Sequence, residues 1–296
     1  MSAGQPDRKP RRFPLQLDQV ATVKSSGPKP APVAQTGARE LLRPQAHLQQ
    51  IEQDRRRHTT PQGVGMDSIH VRRRMVERLM LDGISHQHVL DAFVRVPRHL
   101  FVDTALVNQA YEDTSLPIGL GQTISKPSVV AAMMQLLCVR PGLQVQAEVT
   151  VTHKPLGQCL EIGSGCGYQA ALLGHLSRRV VSIERLRDLH LKARANLDTL
   201  RQHLPEWPDV RLVYGDGMIG HAPLAPYDTI IAAAGGAALP QAWIDQLAPG
   251  GRLVAPLEEA RGGTQVLTIL DRLPDGSLQH SRAGAVLFVP LKSGTT

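Results

Sequence analysis

One stretch of the chain reads Leu160-Glu161-Ile162-Gly163-Ser164-Gly165-Cys166-Gly167-Tyr168, an apolar run that leads into three glycines at alternate positions. Glycine lacks a Cβ atom, so a ligand can lie against the backbone there, and a helix that follows presents unpaired N–H groups. A second apolar run ends at Glu184, 21 residues after Gly163. An acid at the end of the second strand of such a unit can accept hydrogen bonds from both ribose hydroxyls. The pattern predicts a strand, a glycine loop and a helix that hold a nucleoside cofactor.

The spacing of the glycines separates two classes of cofactor. Dinucleotide-binding proteins carry Gly-x-Gly-x-x-Gly, in which the third glycine allows close helix packing beneath a pyrophosphate. Here the order is Gly-x-Gly-x-Gly, and Glu161 lies two residues before the first glycine. This resembles motif I of class I S-adenosylmethionine-dependent methyltransferases. A tight strand-to-helix turn without a ligand is the alternative explanation of this motif taken alone.

Positive charge is concentrated at the start of the chain. The 296 residues include 33 Lys or Arg and 26 Asp or Glu, a formal net charge of +7. Residues 1–65 hold 11 of the basic and 5 of the acidic residues, with eight prolines and few large apolar side chains. Such a composition cannot bury enough surface to offset its ordering entropy. We therefore expect a basic, Pro-rich, largely disordered extension over residues 1–65, with a short helix near 40–57. Its charge is explained either by an arm that binds nucleic acid or another acidic partner, or by a solvated extension with no dedicated partner.

Regular periodicity begins after this extension. Apolar stripes predict helices over residues 68–81 and 85–96, the second capped by Ser85, and Pro127 predicts the start of a third. Strands are then expected at residues 159–162, 180–183, 210–213, 227–233 and 252–255, and helices at 167–176, 186–203 and 240–247. Strands that alternate with helices predict a parallel sheet covered on both faces.

The end of the chain has a different pattern. Apolar runs at residues 265–270 and 277–290 are joined at Pro274-Asp275-Gly276, a turn signal that predicts an antiparallel hairpin at the sheet edge. The fold class expected is α/β: a doubly wound, mostly parallel, seven-stranded Rossmann-like sheet with this hairpin and N-terminal helices. We expect one domain over 66–296, with a helical part (66–140), a cofactor-binding core (158–256) and the hairpin (264–292). Alternation in the connection 144–158 favours an extra edge hairpin.

A second dense segment, residues 116–127, reads Leu-Pro-Ile-Gly-Leu-Gly-Gln-Thr-Ile-Ser-Lys-Pro. Its polar side chains are Gln122, Thr123 and Ser125, placed just before the helix that Pro127 starts. Ser and Thr are leading N-cap residues, so a cap formed by Ser125 or Thr123 is one explanation of the segment. A substrate-binding turn is the other.

The order of the motifs resembles the protein-L-isoaspartate O-methyltransferases. The resemblance covers about residues 69–292. It rests on the Gly-Gln-Thr-Ile-Ser block at 121–125, the glycine loop, Ser-Ile-Glu-Arg at 182–185, Gly-Asp-Gly at 215–217 and Val-Leu-Phe-Val-Pro-Leu at 286–291. The block at 121–125 is highly specific to this family, whereas many methyltransferases share the glycine loop. The resemblance implies that S-adenosyl-L-methionine is the cofactor. The implied substrate is the free carboxyl of L-isoaspartyl residues in damaged proteins, repaired to aspartate through a succinimide.

The resemblance also implies roles for individual residues, and it places the helical part on the substrate side. Ser125 matches the active-site serine, and Thr123 and Gln122 share its turn. The cofactor-binding residues it implies are Glu161, Gly163, Ser164, Gly165, Gly167, Glu184, Arg185, Asp216 and Gly217. Among these, Glu184 would hold the ribose, and Asp216 with Gly217 would meet the adenine. Binding of loop amides by Glu161, and a simple turn at Asp216, are the structural explanations that stay open.

The chemistry implied needs no strong general base. A carboxyl group has a reference pKa of about 4, so it is already an anion at neutral pH, and the methyl donor is a sulfonium cation. The protein must therefore supply alignment and exclusion of water. The hydroxyls of Ser125 and Thr123 would orient the carboxylate through hydrogen bonds.

Two features depart from the family pattern. Met218 stands where most relatives have an aromatic residue, and Ala-Ala-Ala-Gly-Gly at 232–236 replaces the Thr-Ala-Ala that relatives often carry. In the family, the segment that corresponds to residues 232–236 faces the substrate. We therefore expect the loss of a hydroxyl to affect peptide affinity more than cofactor binding.

Other functions fit the sequence less well. A nicotinamide dehydrogenase is disfavoured by the glycine spacing and the terminal hairpin. The alternatives left open are a methyltransferase of the same fold that acts on nucleic acid or a small molecule, and a non-catalytic relative. His86 and His88 do not share a helical face, so no metal site is expected. Unpaired cysteines and the absence of a long apolar run favour a cytoplasmic protein without a membrane span. We expect a monomer that does not bind nucleic acid.

Overall fold

The computed structural model describes residues 69–141, 154–204, 208–259 and 264–296. The helices in these ranges are α1 (Ile69–Leu81), α2 (Gln87–Arg95), α3 (Pro127–Cys138), α4 (Tyr168–Leu176), α5 (Arg187–Arg201) and α6 (Gln241–Gln246). The strands are β1 (Leu116–Gly119), β2 (Gln122–Ile124), β3 (Gly157–Ile162), β4 (Ser177–Glu184), β5 (Val210–Tyr214), β6 (Tyr227–Ala232), β7 (Leu247–Glu258), β8 (Gln265–Arg272) and β9 (Leu278–Val286). The predictions for residues 1–65, and most of the extra hairpin predicted at 144–158, lie outside the described residues.

Seven strands form one sheet in the order β5-β4-β3-β6-β7-β8-β9. Strands β3 to β7 pair in parallel, β8 runs antiparallel to β7, and β9 runs antiparallel to β8. The mostly parallel sheet with a C-terminal antiparallel hairpin is therefore confirmed. The strand order reverses direction between β3 and β6, which in open α/β sheets is the point where a ligand binds, beside the carboxyl ends of the strands.

Apolar layers cover both faces of the sheet. Val180 packs into one buried cluster and its neighbour Val181 into the other, because successive side chains of a strand point to opposite faces. Helices α1 to α4 contribute to the first cluster, with Phe93 and Met134 fully buried there. Trp243 of α6 lies in the second. Burial on both faces explains why these strands read as continuous apolar runs in the sequence.

A separate hairpin, β1–β2, was not predicted. Leu116 pairs with Ile124 and Gly119 with Gln122. At the tip, Leu120 and Gly121 both have positive φ, +52° and +68°, as a two-residue hairpin turn of this hand requires. Strands of four and three residues are too short to give a periodicity signal, and so the segment read only as a turn.

The caps of two helices come from distant residues, not from the adjacent Ser or Thr. The N–H groups of Ser85 and His86 both donate to Gln135 Oε1, at 2.7 and 3.0 Å, and the cap residue of α2 is His86. At α3, Ser128 donates its N–H and hydroxyl to the Asp113 carboxylate, at 2.8 and 2.7 Å. The prediction of a Ser85 cap is wrong. The capping explanation of Ser125 and Thr123 is wrong as well, because the α3 cap residue is Lys126 and it uses no side-chain bond.

Across the described ranges, no helix combines the length and apolarity that a membrane crossing needs.

Candidate active site

A cavity of about 480 Å³ opens at the carboxyl ends of β3, β4 and β6. Nine of the residues predicted for the site line it: Gln122, Thr123, Ser125, Gly163, Ser164, Gly165, Glu184, Arg185 and Gly217. Three predicted residues, Glu161, Gly167 and Asp216, do not line it. The hairpin β1–β2 forms one wall, since Ile118 and Leu120 also face the cavity. Sequence reasoning found Gln122 and Thr123 of this wall but missed Ile118 and Leu120, because the hairpin itself was not predicted.

The glycine loop has a left-handed backbone at each of its three glycines. Gly165 has φ of +55° and Gly167 has φ of +89°. A Cβ at Gly165 would lie 3.2 Å from Ile118 of the hairpin, and one at Gly167 would lie 3.3 Å from the backbone of Ala193 in α5. The approach of α5 thus requires the third glycine. Gly167 does not line the cavity, and its predicted cofactor contact stays a prediction.

Glu184 joins the loop to the end of β4. Its side chain is buried, and Oε2 accepts the Gly165 N–H while Oε1 accepts the Leu186 N–H, both at 2.9 Å. A carboxylate offers about four lone-pair positions, so each oxygen can accept a further hydrogen bond. Because Glu184 lines the cavity, those positions suit a pair of ribose hydroxyls.

Glu161 lies beneath the loop and has no exposed surface. The Ser182 hydroxyl donates to Glu161 Oε2, and the Ser164 and Ser182 hydroxyls lie 2.5 Å apart. Burial raises the pKa of Glu161 to about 8, against the opposing effect of the Ser182 hydrogen bond. The Glu161 carboxyl therefore supports the loop residue Ser164 through Ser182 and lies beneath the cavity surface. Its predicted contact with the cofactor stays a prediction.

The turn after β5 is held from two sides. Asp216 accepts the N–H of Met218 at 2.8 Å and that of Gly294 at 2.7 Å, so its carboxylate caps the turn and fastens the C-terminal segment. Gly217 lines the cavity, and its carbonyl accepts the Trp243 indole N–H at 2.8 Å. These two contacts give Asp216 a supporting role, and its predicted place at the adenine stays a prediction. Trp243 was missed, although a buried indole needs a hydrogen-bond acceptor and its helix carries no other aromatic residue.

A second cavity of about 430 Å³ adjoins the first. The residues that line both cavities are Thr123, Ser125, Ala233 and Val289. Apolar residues of 285–289 form much of the second cavity, and Lys126 is the charged residue among those that line it in the described structure. The Ser125 hydroxyl bonds to no described residue, while the Ser125 carbonyl accepts from Arg98 at 2.7 Å. Ser125 therefore presents a free hydroxyl where the two cavities meet.

The wall shared by the cavities is fastened by Gln265. Its amide donates to the Phe288 carbonyl at 3.2 Å and accepts the Phe288 N–H at 2.7 Å. Gly235 accepts from Leu291 at 2.6 Å and donates to Val289 at 2.8 Å. A Cβ at Gly235 would lie 2.5 Å from the Gln265 amide nitrogen. The unusual segment 232–236 thus carries a glycine that makes room for this clamp, while Ala233 and Ala234 face the first cavity.

Nucleophilic thiols and metal ligands are not features of the described site. Cys166 lines the first cavity, but burial raises its pKa to about 11, so its thiol is protonated at neutral pH. Cys138 and Cys159 are buried and free. No group of three or more His, Cys, Asp or Glu able to hold a metal ion occurs among the described residues.

Comparisons with known proteins agree on one family. A sequence model of the family "Protein-L-isoaspartate(D-aspartate) O-methyltransferase (PCMT)" matches residues 70–296. Protein-L-isoaspartate O-methyltransferases from Methylibium petroleiphilum and Leptothrix cholodnii are 57% and 53% identical to this chain. The first alignment covers 100% of both chains, and the second covers 100% of this chain and 98% of the relative.

The fold also matches a solved structure. A candidate protein-L-isoaspartate O-methyltransferase from Plasmodium falciparum, in complex with S-adenosyl-L-homocysteine, superposes with a TM-score of 0.61 at 24% identity. The match covers 75% of this chain and 98% of that chain. At this identity the likeness concerns the fold.

Proposed function

Because this chain belongs to the protein-L-isoaspartate O-methyltransferase family, we propose that it transfers the methyl group of S-adenosyl-L-methionine to the free carboxyl of L-isoaspartyl residues in damaged proteins and peptides. The resulting ester closes to a succinimide, which begins repair to aspartate. The observation that carries the proposal is the junction at Ser125, where a cavity beside the glycine loop meets a second cavity that residues 285–289 line on one side.

The first cavity fits a nucleoside cofactor whose ribose hydroxyls carry no phosphate. Glu184 is positioned to accept hydrogen bonds from those hydroxyls, and its negative charge would repel a phosphate attached there. Gly163 and Gly165 line the cavity and carry no side chain that would project into it. When bound, the cofactor supplies an electrophilic methyl group on a sulfonium.

The residues at the junction would align the substrate. An isoaspartyl carboxylate is ionised at neutral pH, so no residue has to remove a proton from it. The hydroxyls of Ser125 and Thr123 can each donate a hydrogen bond to that carboxylate and hold one lone pair toward the methyl group. The apolar lining of residues 285–289 would exclude water, which strengthens these contacts. Positioning of this kind is worth several orders of magnitude in rate.

The substrate is tested by incubating the chain with labelled S-adenosyl-L-methionine and a pair of peptides that differ only in one linkage. Transfer to the isoaspartyl peptide and not to its aspartyl twin is the expected result. Equal labelling of both peptides, or of neither, would contradict the proposal.

The role of Ser125 is tested by Ser125→Ala. Loss of the orienting hydroxyl should lower kcat for the isoaspartyl peptide by about 10²-fold, while the Kd of S-adenosylhomocysteine changes little, because the serine contacts substrate and not the nucleoside. Ser277→Ala is the matched control, since it removes a hydroxyl from the exposed β8–β9 turn. A parallel loss of turnover and cofactor affinity in Ser125→Ala would mean that the serine has only a structural role.

The wider setting of the enzyme is also proposed. We infer one methyltransferase domain over residues 66–296, supported by the family match to 70–296, and a basic extension before it. Free buried thiols support a reducing compartment such as the cytoplasm. We further propose a monomer that does not bind nucleic acid. Light scattering and a shift assay with duplex DNA and RNA check these two points.

A further inference from the structure

Arg98 is a fully buried cation at the base of the hairpin that carries the substrate turn. It begins the short 3-10 helix Arg98–Phe101 and has no exposed surface. Its Nη2 lies 2.7 Å from the Ser125 carbonyl and 3.4 Å from the Thr114 carbonyl. Thr114 precedes β1 and Ser125 follows β2, so the Nη2 atom of Arg98 binds the chain at both ends of the β1–β2 hairpin.

The same guanidinium also contacts the cofactor side of the site. The Arg98 Cζ atom lies over the Tyr168 ring, 4.8 Å from its centre, in a cation–π contact. Tyr168 begins α4 directly after Gly167, the last glycine of the cofactor loop. Its ring packs edge-on against Phe93 and Phe101, which fixes its orientation. Arg98 therefore connects the substrate turn to the start of the cofactor helix.

A contribution to folding stability does not explain why the Arg98 cation is buried here. Its Nε and Nη1 atoms donate to no acceptor in the described structure, and burial lowers the pKa of the guanidinium. Asp113, the carboxylate that influences it, has both oxygens engaged with Ser128 at the α3 cap. A buried charge without a partner carboxylate is costly, and an apolar side chain of similar volume is often neutral or more stable in its place.

We propose that Arg98 is a positioning residue for methyl transfer, which holds the Ser125 hydroxyl at the cavity junction through the Ser125 carbonyl and keeps it in register with the cofactor loop through Tyr168. This inference rests on the proposed function. The proposal explains why Nη2 of Arg98 contacts the hairpin base while Nε and Nη1 have no acceptor in the described structure. Holding Ser125 in place requires only the Nη2 contact with the hairpin and the contact of the guanidinium with Tyr168. A misplacement of about 1 Å at such a junction can cost about 10²-fold in rate.

The test compares Arg98→Met with Arg98→Lys. Methionine removes the donor and the charge and should lower kcat by about 10²-fold, with the Kd of S-adenosylhomocysteine by calorimetry unchanged within about threefold. Lysine keeps one donor for the Ser125 carbonyl but loses the planar guanidinium that lies over Tyr168. Its kcat should fall by about tenfold, which is half of the loss in Arg98→Met on a logarithmic scale. Arg272→Met is the matched control, because Arg272 also donates to two backbone carbonyls, those of Ile244 and Leu247, which do not line the cavities. It should leave kcat within about twofold of the original chain.

A double-mutant cycle separates positioning from general support. If Arg98 acts through Ser125, adding Arg98→Met to Ser125→Ala should lower kcat little further, whereas independent effects would multiply. Multiplied losses, an unchanged kcat in Arg98→Met, or a matching loss of cofactor affinity would each overturn the inference. If Arg98→Met does not fold, Arg98→Lys decides the matter, and a kcat equal to that of the original chain would overturn it. An original chain that labels no isoaspartyl peptide would instead overturn the proposed function on which the inference rests.

Discussion

Single carboxyl groups of this chain have roles that depend on their depth. Glu184 and Glu161 end or interrupt neighbouring strands, and both looked like cofactor ligands in the sequence. Glu184 reaches the cavity with two backbone amides already bound, whereas Glu161 is sealed beneath the loop. The residue type is the same in both cases. Depth below the surface, which depends on packing from other elements, decides which of the two carboxylates lines the cavity.

The buried position of Glu161 makes stability depend on pH. Its pKa is about 8 in the folded chain against 4.5 for an ordinary Glu, because burial disfavours the anion. At a pH below the pKa of Glu161 in the unfolded chain, the carboxyl is protonated in both the folded and the unfolded chain, and its contribution to stability is fully present. As pH rises toward and through the folded value, the unfolded chain ionises first, so this contribution is lost.

We expect Glu161→Gln, which resembles the protonated group, to remove that loss. Between pH 5 and pH 8.5, the free energy of unfolding of the variant should rise relative to that of the original chain by about a few kcal/mol. The shift in the pKa of Glu161 sets this order of magnitude. Urea unfolding at both pH values measures the change. Glu77→Gln, at an exposed position of α1, is the control. Parallel profiles for Glu161→Gln and the original chain would count against this account.

At the scale of elements, the wall between the cavities depends on one glycine of the loop after β6. Ala at position 235 would place its Cβ where the Gln265 amide now lies, and the amide would lose its two bonds to Phe288. Since Phe288 and Val289 line the second cavity, the peptide site should change more than the cofactor site.

For Gly235→Ala we therefore expect the KM of an isoaspartyl peptide to rise roughly tenfold, the equivalent of about one lost hydrogen bond, with little change in the Kd of S-adenosylhomocysteine. Gly284→Ala serves as the control, because a Cβ there meets no atom within 4 Å. Steady-state kinetics and calorimetry provide the two measurements. An unchanged peptide KM would show that the clamp does not shape the peptide site.

The elements themselves were largely predictable, but their supports were not. Periodicity located β3 to β8 and the helices between them, because a residue pattern of period two or 3.6 is local. It did not find the hairpin β1–β2, whose strands are short and whose tip needs positive φ at Leu120. It also assigned a cap to Ser85 and left one open at Ser125 or Thr123, while the acceptors come from Gln135 and Asp113.

At the scale of the whole molecule, the described part of the chain should respond to its cofactor as one unit. The cavity is built from β3, β4, β6, the hairpin and the segment after β9, so a ligand there contacts parts that only the folded chain brings together. A ligand that binds the folded state alone stabilises it by about 2.7 kcal/mol at 100 times its Kd.

S-Adenosylhomocysteine at that excess should thus raise the Tm by roughly 5–10 °C, with a shift that grows with ligand concentration. The dinucleotide NAD at equal concentration is the comparison and should leave the Tm unchanged. Differential scanning fluorimetry gives both values. Stabilisation by NAD and not by S-adenosylhomocysteine would contradict the assignment of the cofactor.

The amino-acid sequence alone determined the parallel sheet, the terminal hairpin, the glycine loop and the class of cofactor, because each depends on spacing within a few tens of residues. Only the tertiary structure decided which predicted ligands reach the cavity and which lie behind it. It also supplied Arg98, Trp243 and Gln265, whose partners lie 27, 26 and 23 residues away along the chain. A hydrogen bond across such a distance leaves no periodic trace in the sequence, since it exists only where packing brings the donor and its acceptor together.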